Sequence, residues 1–207
     1  MHHFERGQSP VDLQAIARKG INWSSFAGSH AHRIVGDALY ERQHHYCAYC
    51  EVFLEQKTDG HTEHLARRSD FPQRTFDWYN LFFSCNHIDS CGRFKDNSRI
   101  QFDVNDIIDP SRENPQDFFN YDRFGHIFPR VGLSELERRR ACETIRVFNL
   151  DNSGRLCNIC QQAFQAVVTF LQCSEHPDTS TIDRFLEMVN GAHCISVYYT
   201  LLDKRMR

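Results

Sequence analysis

Two cysteine pairs, Cys47-x2-Cys50 and Cys85-x5-Cys91, enclose a polar stretch that holds Glu63, His64 and Asn80. Thiolates are the soft ligands that a structural zinc ion takes in a tetrahedron, and an x2 spacing lets one tight turn present two of them. Cys47 and Cys50 meet that requirement. The second pair spans Asn86-His87-Ile88-Asp89-Ser90, so its turn must bulge. One structural Zn2+ on Cys47, Cys50, Cys85 and Cys91 is the expectation, with buried free thiols as the plain alternative.

The residues between the pairs suit a different chemistry. Hydrolysis of a phosphodiester needs a base to take a proton from water and a cation to neutralise charge on the phosphate and the departing oxygen. His64 is the candidate base, because an imidazole titrating near pH ~6.5 is largely neutral under physiological conditions. Glu63, its neighbour on an expected strand, points to the opposite face unless the strand bulges. Asn80 alone reads equally well as an Asx turn ahead of a strand. Arg67, Arg68, Arg74, Arg93, Lys95 and Arg99 could contact phosphate, although acidic residues are interleaved and each also fits a solvated mixed-charge surface.

The order CxxC, acidic residue-His, Asn-Leu, Cys...Cys and a following basic residue resembles the HNH endonucleases, whose ββα-metal fold is a two-stranded hairpin with a short helix gripping one divalent cation. Cys47-Ala48-Tyr49-Cys50-Glu51 and Trp78-Tyr79-Asn80-Leu81 are more narrowly similar to the PtuB HNH nucleases of Septu-type and retron-associated anti-phage defence. The similarity continues through Ile108-Asp109-Pro110, Gly125-His126-Ile127 and Thr144-Ile145-Arg146-Val147-Phe148-Asn149-Leu150. This resemblance implies a metal-dependent endonuclease with His64 as base and Glu63 as a ligand of a catalytic Mg2+ or Mn2+. It implies for Asn80 either of two roles, orienting the base or ligating the metal through its amide oxygen. The implied substrate is nucleic acid, DNA favoured over RNA. The implied partners are an ABC-type ATPase (PtuA-like) and, in some systems, a retron reverse transcriptase with its RNA–DNA hybrid.

One position departs from the family. It places His or Asn directly after the last cysteine, where this chain has Gly92. His87 is the favoured replacement ligand. Asp96, one helical turn past Gly92, is the second candidate. A site of Glu63 and Asn80 completed by water and phosphate oxygens is the third, since magnesium commonly keeps several waters. The departure also sustains a reading from another class, a zinc-stapled adaptor with a decayed site that only binds the ATPase. Against a third, non-catalytic DNA-binding zinc finger, the net charge of −3 counts directly.

Stepping to the elements that must carry these residues, the chain has 207 residues, 41% of them hydrophobic and seventeen of them Phe, enough for a real core in one or two domains. The expected class is α+β: a zinc-stapled ββα-metal core (His-Me finger) embedded in a mainly α-helical chain. Residues 1–46 form an N-terminal helical brace, with helices over Val11–Lys19 and His30–Gln43. Residues 47–108 form the nuclease core, with hairpin strands at Thr62–Leu65 and Leu81–Ser84 and a short helix from Gly92 to about Asn97. Residues 109–207 form a linker, a small hairpin around Asp122-Arg123-Phe124-Gly125 and a helical region suited to docking a partner. There Ser134 and Glu137 spell a capping box ahead of Ala141, Ile145 and Phe148; Leu156, Ile159, Ala163, Val167 and Leu171 form the next stripe, and a third helical region starts at Thr181.

Cys157-x2-Cys160 repeats the metal spacing, but with Cys142, Cys173, Cys194 and His176 loosely placed, buried thiols are the better reading. Arg138-Arg139-Arg140 reads as an ion-paired helix face. The absence of a long apolar run or an apolar leader segment points to no membrane and to the cytoplasm, where nine cysteines stay reduced.

Overall fold

The computed structural model describes residue 1, residues 3–173 and the single positions Thr181, Phe185, Ser196 and Val197. The third helical region expected from Thr181 falls, apart from these positions, outside the described residues, as do His2, His176 and Cys194.

In chain order, α1 (Leu13–Arg18), the single turn α2 (Trp23–Phe26) and α3 (His30–Arg42) precede a hairpin of β1 (Gly60–His64) and β2 (Leu81–Cys85). Each helix starts on a side chain that accepts an otherwise orphaned backbone N–H: Asp12 from Ala15, Asn22 from Ser25 and Ser29 from His32. The turn α2 was not foreseen, since four residues carry no periodicity. The strands of the hairpin run antiparallel, with Glu63 opposite Phe82 and His64 opposite Leu81. A side chain at Gly60 would collide with the Phe83 ring, so the absent Cβ is what lets β1 begin there. α4 (Cys91–Ser98) crosses β2, and α3 lays Val35, Leu39 and Tyr40 against the hairpin's other side.

The N-terminal segment is woven into this core. Arg6, buried over the Phe82 ring, donates to the carbonyls of Trp78 (2.9 Å) and Leu81 (2.5 Å), and so fixes the turn that feeds β2. Burial lowers its pKa to about 10, still well above neutrality.

Farther on, β3 (Phe119–Tyr121) and β4 (Ile127–Pro129) form the small hairpin expected around Asp122–Gly125. Asp122 Oδ1 accepts from Phe124 and His126 N–H, and Gly125 takes a positive φ of 85°. α5 (Glu135–Phe148) opens on the capping box of Ser134 and Glu137 and closes on Asn149 in the left-handed region. Its buried face is Ala141, Thr144, Val147 and Phe148, with Ile145 half-buried. Thr144 is inside because its hydroxyl accepts from Ile108 N–H and donates to Arg140 O. α6 (Gly154–Cys173) buries Leu156, Cys160, Ala163, Val167 and Leu171, so Cys160 rather than Ile159 completes the stripe. Arg139 pairs with Asp106 and Arg140 with Glu113, the ion-paired face expected of the arginine run.

The protein is thus a mixed α/β chain with two small two-stranded sheets and one continuous buried cluster running from Met1 past Leu171. Tyr49, stacked on Phe148 at 3.9 Å, joins the cysteine region to α5. Among the described residues no helix is long and apolar enough to cross a membrane.

Candidate metal centre and active site

Cys47, Cys50, Cys85 and Cys91 converge, each fully buried, with their sulfur atoms all within 4.8 Å of one another. Three separate segments deliver them. Cys47 and Cys50 sit on a knuckle closed by the Tyr46–Phe53 bridge and by Cys47 N–H to Val52 O, with Glu51 forced to a φ of 56°. Cys85 ends β2, and Cys91 opens α4 at a φ of 60°. A tetrahedron with Zn–S bonds of ~2.3 Å has edges of about 3.8 Å; Cys50 Sγ and Cys85 Sγ stand 3.9 Å apart. Cys47 Sγ also accepts from Cys85 N–H at 3.3 Å. Burial raises the Cys50 and Cys91 thiols well above their usual range. Burial acts on Cys47 in the same sense, but hydrogen bonds from the other cysteines hold it well below. Closely packed soft donors of this kind fit zinc, which would bind the end of the hairpin, the start of α4 and the knuckle into one unit.

Next to this cluster a cleft of about 570 Å³ is lined by Trp23, His61, Glu63, His64, Arg68 and Asp96, among others. His64 ends β1. Its Nε2 lies 3.0 Å from the Thr75 carbonyl, which can only accept, so Nε2 carries the proton and Nδ1 keeps its lone pair. The Trp23 ring stands edge-on to the imidazole at 4.3 Å. Burial, opposed by the Thr75 bond and reinforced by Arg68, lowers His64 to about 3, so the ring is neutral at physiological pH.

Asn80 holds the loop behind His64. It is wholly buried at the end of a 3-10 turn, Trp78–Asn80. Its Oδ1 accepts from Ala66 N–H at 2.7 Å, while Nδ2 donates to Ala66 O (3.1 Å) and Arg74 O (3.0 Å). The residue after Arg74 is Thr75, so the amide fixes the carbonyl that orients His64. Asn80 does not line the cleft, and its amide oxygen is committed to Ala66.

Glu63 is also committed. Its side chain is fully buried, Oε1 lies 2.5 Å from Lys95 Nζ, and Oε2 accepts from the Tyr49 hydroxyl at 2.5 Å. Burial raises its pKa, and Lys95 opposes that shift. Lys95, itself 0% exposed, also donates to His64 O and Leu65 O and lies 3.1 Å from Asp96 Oδ1. Its ammonium therefore stands between the carboxylates of Glu63 and Asp96, two of the expected ligands of the divalent cation. Gly92 follows from the same packing: a Cβ there would collide with Glu63 Cγ and come within 3.2 Å of Ser84 Oγ. Glu63 and Ser84 thus leave no room for a side chain at position 92.

Asp96, half-exposed, is brought to the cleft. His87 is not; it is exposed in the loop between β2 and α4. No set of three His, Cys, Asp or Glu ligand atoms converges in the cleft among the described residues. The residues present therefore do not form a cage for Mg2+ or Mn2+ from Glu63, Asn80 and His87.

Of the expected phosphate-contacting residues, Arg67 is buried on the carbonyls of Lys95 and Ile100, and Arg74 pairs with Asp77 at 3.1 Å. Arg68 and Arg93 remain exposed on the cleft. Trp23, His61 and Ser69 also line the cleft and have no part in the expected site. Trp23 lies on the unforeseen turn α2. His61 had a signal, since it is two residues before Glu63 on the same strand face; its Nδ1 is buried without a hydrogen-bond partner.

A second convergent group, His126, Asp151 and Cys157, closes on itself: His126 Nδ1 and Ile127 N–H donate to Asp151 Oδ1, and the Cys157 thiol donates to Asp151 O. Cys160 is buried in the α6 stripe, so Cys157-x2-Cys160 is no metal pair. No protein-family model matches the chain, and no curated protein matches its sequence.

Proposed function

We propose that this protein is a zinc-stapled HNH-type endonuclease that hydrolyses phosphodiester bonds of nucleic acid, with His64 as the general base. The observation that carries the reading is the His64 ring, fixed through Nε2 on Thr75 O, with its Nδ1 lone pair free in a cleft that also presents Arg68 and Arg93. The scissile phosphate sits against these guanidinium groups, whose charge offsets that building on the phosphate. His64 Nδ1 accepts a proton from the attacking water. Burial is the main cause of the lowered basicity of His64 and the field of Arg68 a lesser one, and the arriving phosphate counters the second. Asn80 is a positioning residue. Asp96 is the half-exposed carboxylate of the cleft, with its Oδ1 turned to Lys95 Nζ (3.1 Å) and Arg67 Nε (3.6 Å).

In this reading β1, β2 and α4 form the ββα unit, and the protein serves anti-phage defence beside an ABC-type ATPase, a role that rests on the motif resemblance alone. The commitment of Glu63 to Lys95 favours a second reading, a zinc-stapled adaptor for that ATPase without catalysis. Cleavage of a mixed DNA and RNA pool by the wild type and by His64→Ala, each co-purified with the ATPase and matched in zinc content, separates the two. Cleavage lost only in the variant is expected. Equal activity in both would remove His64 from the chemistry, and inactivity of both would favour the adaptor.

A further inference from the structure

Trp23 has two sides. One meets His64 in the cleft just described; the other walls a second cleft of about 510 Å³, whose lining includes Gln14, Ala17, Ile21, Gln73 and, again, Arg68. Trp23 and Arg68 are thus shared between the clefts, with the Arg68 guanidinium 5.4 Å from the ring centroid. The volume lies in the roughly 300–1,000 Å³ range of small-molecule sites. Its walls combine an apolar floor, Phe76 and the exposed Ile21, with the amides of Gln14 and Gln73. An aromatic face, an adjacent cation and amide groups that can either donate or accept are what an unpaired nucleobase requires.

The charge of the chain gives the second argument. The net charge is −3, and of the basic residues expected to contact phosphate Arg67, Arg74 and Lys95 are committed to internal partners, which leaves Arg68 and Arg93 on the cleft of His64 to hold a phosphate backbone. Stacking supplies affinity that does not depend on net charge. We infer that the cleft between α1, α2 and the 68–76 loop binds the base of the nucleotide flanking the scissile phosphate, which makes single-stranded nucleic acid the substrate class. A base inside a duplex cannot enter such a cleft without leaving its stack. This inference rests on the nuclease reading, so its test does not depend on cleavage.

The test titrates tryptophan fluorescence of the full chain with AMP and then displaces AMP with ribose 5-phosphate, which carries the same phosphate and no base. AMP is expected to quench saturably, and ribose 5-phosphate, read as the competitor that reverses this quenching, to bind at least about tenfold more weakly, a difference of ~1.4 kcal/mol. Trp23→Phe assigns the signal, because Trp78 is buried with its indole N–H on Gly7 O. Trp23 also touches Phe26 and Phe76, so a variant there could disturb the fold. Ala17→Phe, on an exposed position of α1 that lines the cleft, fills the space while leaving Trp23 in place and should abolish AMP quenching. Equal affinity for the two probes, no saturable AMP quenching up to about 10 mM, or AMP binding unchanged in Ala17→Phe would each overturn the base site. Cleavage by the wild type alongside any of these results would leave the nuclease reading standing.

Discussion

Asn80→Asp replaces one amide nitrogen by oxygen and keeps the shape, which makes it the sharpest test of what Asn80 does. In the structure both amide hydrogens go to carbonyls, Ala66 O and Arg74 O, and the oxygen accepts from Ala66 N–H. The introduced carboxyl can keep the last bond. To satisfy even one carbonyl it must be protonated, which from an ordinary value of about 3.9 costs about 5 kcal/mol at pH 7.5. The other carbonyl loses its amide donor, at a further ~1–3 kcal/mol where it is Ala66 O; Arg74 O keeps Asp77 N–H at 3.2 Å. Burial without protonation is no cheaper. The sum is a large part of the ~5–15 kcal/mol that holds a domain folded. The sign with pH follows from linkage: the folded pKa is raised above the unfolded one, so stability is greatest at low pH and is lost as pH rises. Urea unfolding of Asn80→Asp relative to the wild type should recover about 2.7 kcal/mol between pH 7.5 and pH 5.5. Asn80→Ala, which leaves Ala66 N–H and Ala66 O unpaired and Arg74 O with Asp77 N–H alone at 3.2 Å, should show a deficit independent of pH. A metal ligand behaves in the opposite way, because a carboxylate binds a divalent cation better than an amide. Asn80→Asp with wild-type stability at pH 7.5 and cleavage retained or raised by Mg2+ or Mn2+ would refute the loop-anchoring argument.

Three further outcomes follow. Cys47→Ser should release zinc, measured by metal analysis of the purified protein, and unfold the hairpin region, because structural zinc contributes on the order of 10–16 kcal/mol at neutral pH; a folded, zinc-loaded variant would show that Cys47 is no ligand. Glu63→Gln leaves the ammonium of Lys95 buried without its full counter-charge and should cost ~3–5 kcal/mol in chemical unfolding, whereas an open metal ligand would lose activity with stability unchanged. His64 is held near 3 against an unfolded value near 6.5, so the unfolded chain binds more protons between those values and stability falls as pH drops through that window. The stability of His64→Asn should fall less steeply than the wild type's from pH 6.5 to pH 4, by up to a few kcal/mol; parallel profiles would mean that His64 is not buried in its neutral form.

What the sequence by itself determined is the set of local features. The capping box at Ser134 and Glu137, the turn at Asp122–Gly125 and the strand at Leu81 depend on residue types at short spacing, and each appears in the fold; the four cysteines were legible by ligand type, and the fold brings their two pairs together. His64 was legible as a histidine beside an acidic residue, whereas the burial that keeps its ring neutral was not. What only the tertiary structure decided is where long side chains spend their polar atoms. Glu63, Lys95 and Arg67 read as open chemistry in the chain, yet each is buried on a partner at least 28 residues away or across the hairpin from it. Gly92 looked like a lost ligand and is instead the space beneath Glu63. His87 looked like a substitute and faces solvent, while Trp23, on a turn too short to have a period, reaches His64 from forty-one residues upstream. Ligand type is a property of the residue, but whether its lone pairs are open depends on which donors the rest of the fold packs against it. Spacing along the chain does not encode that.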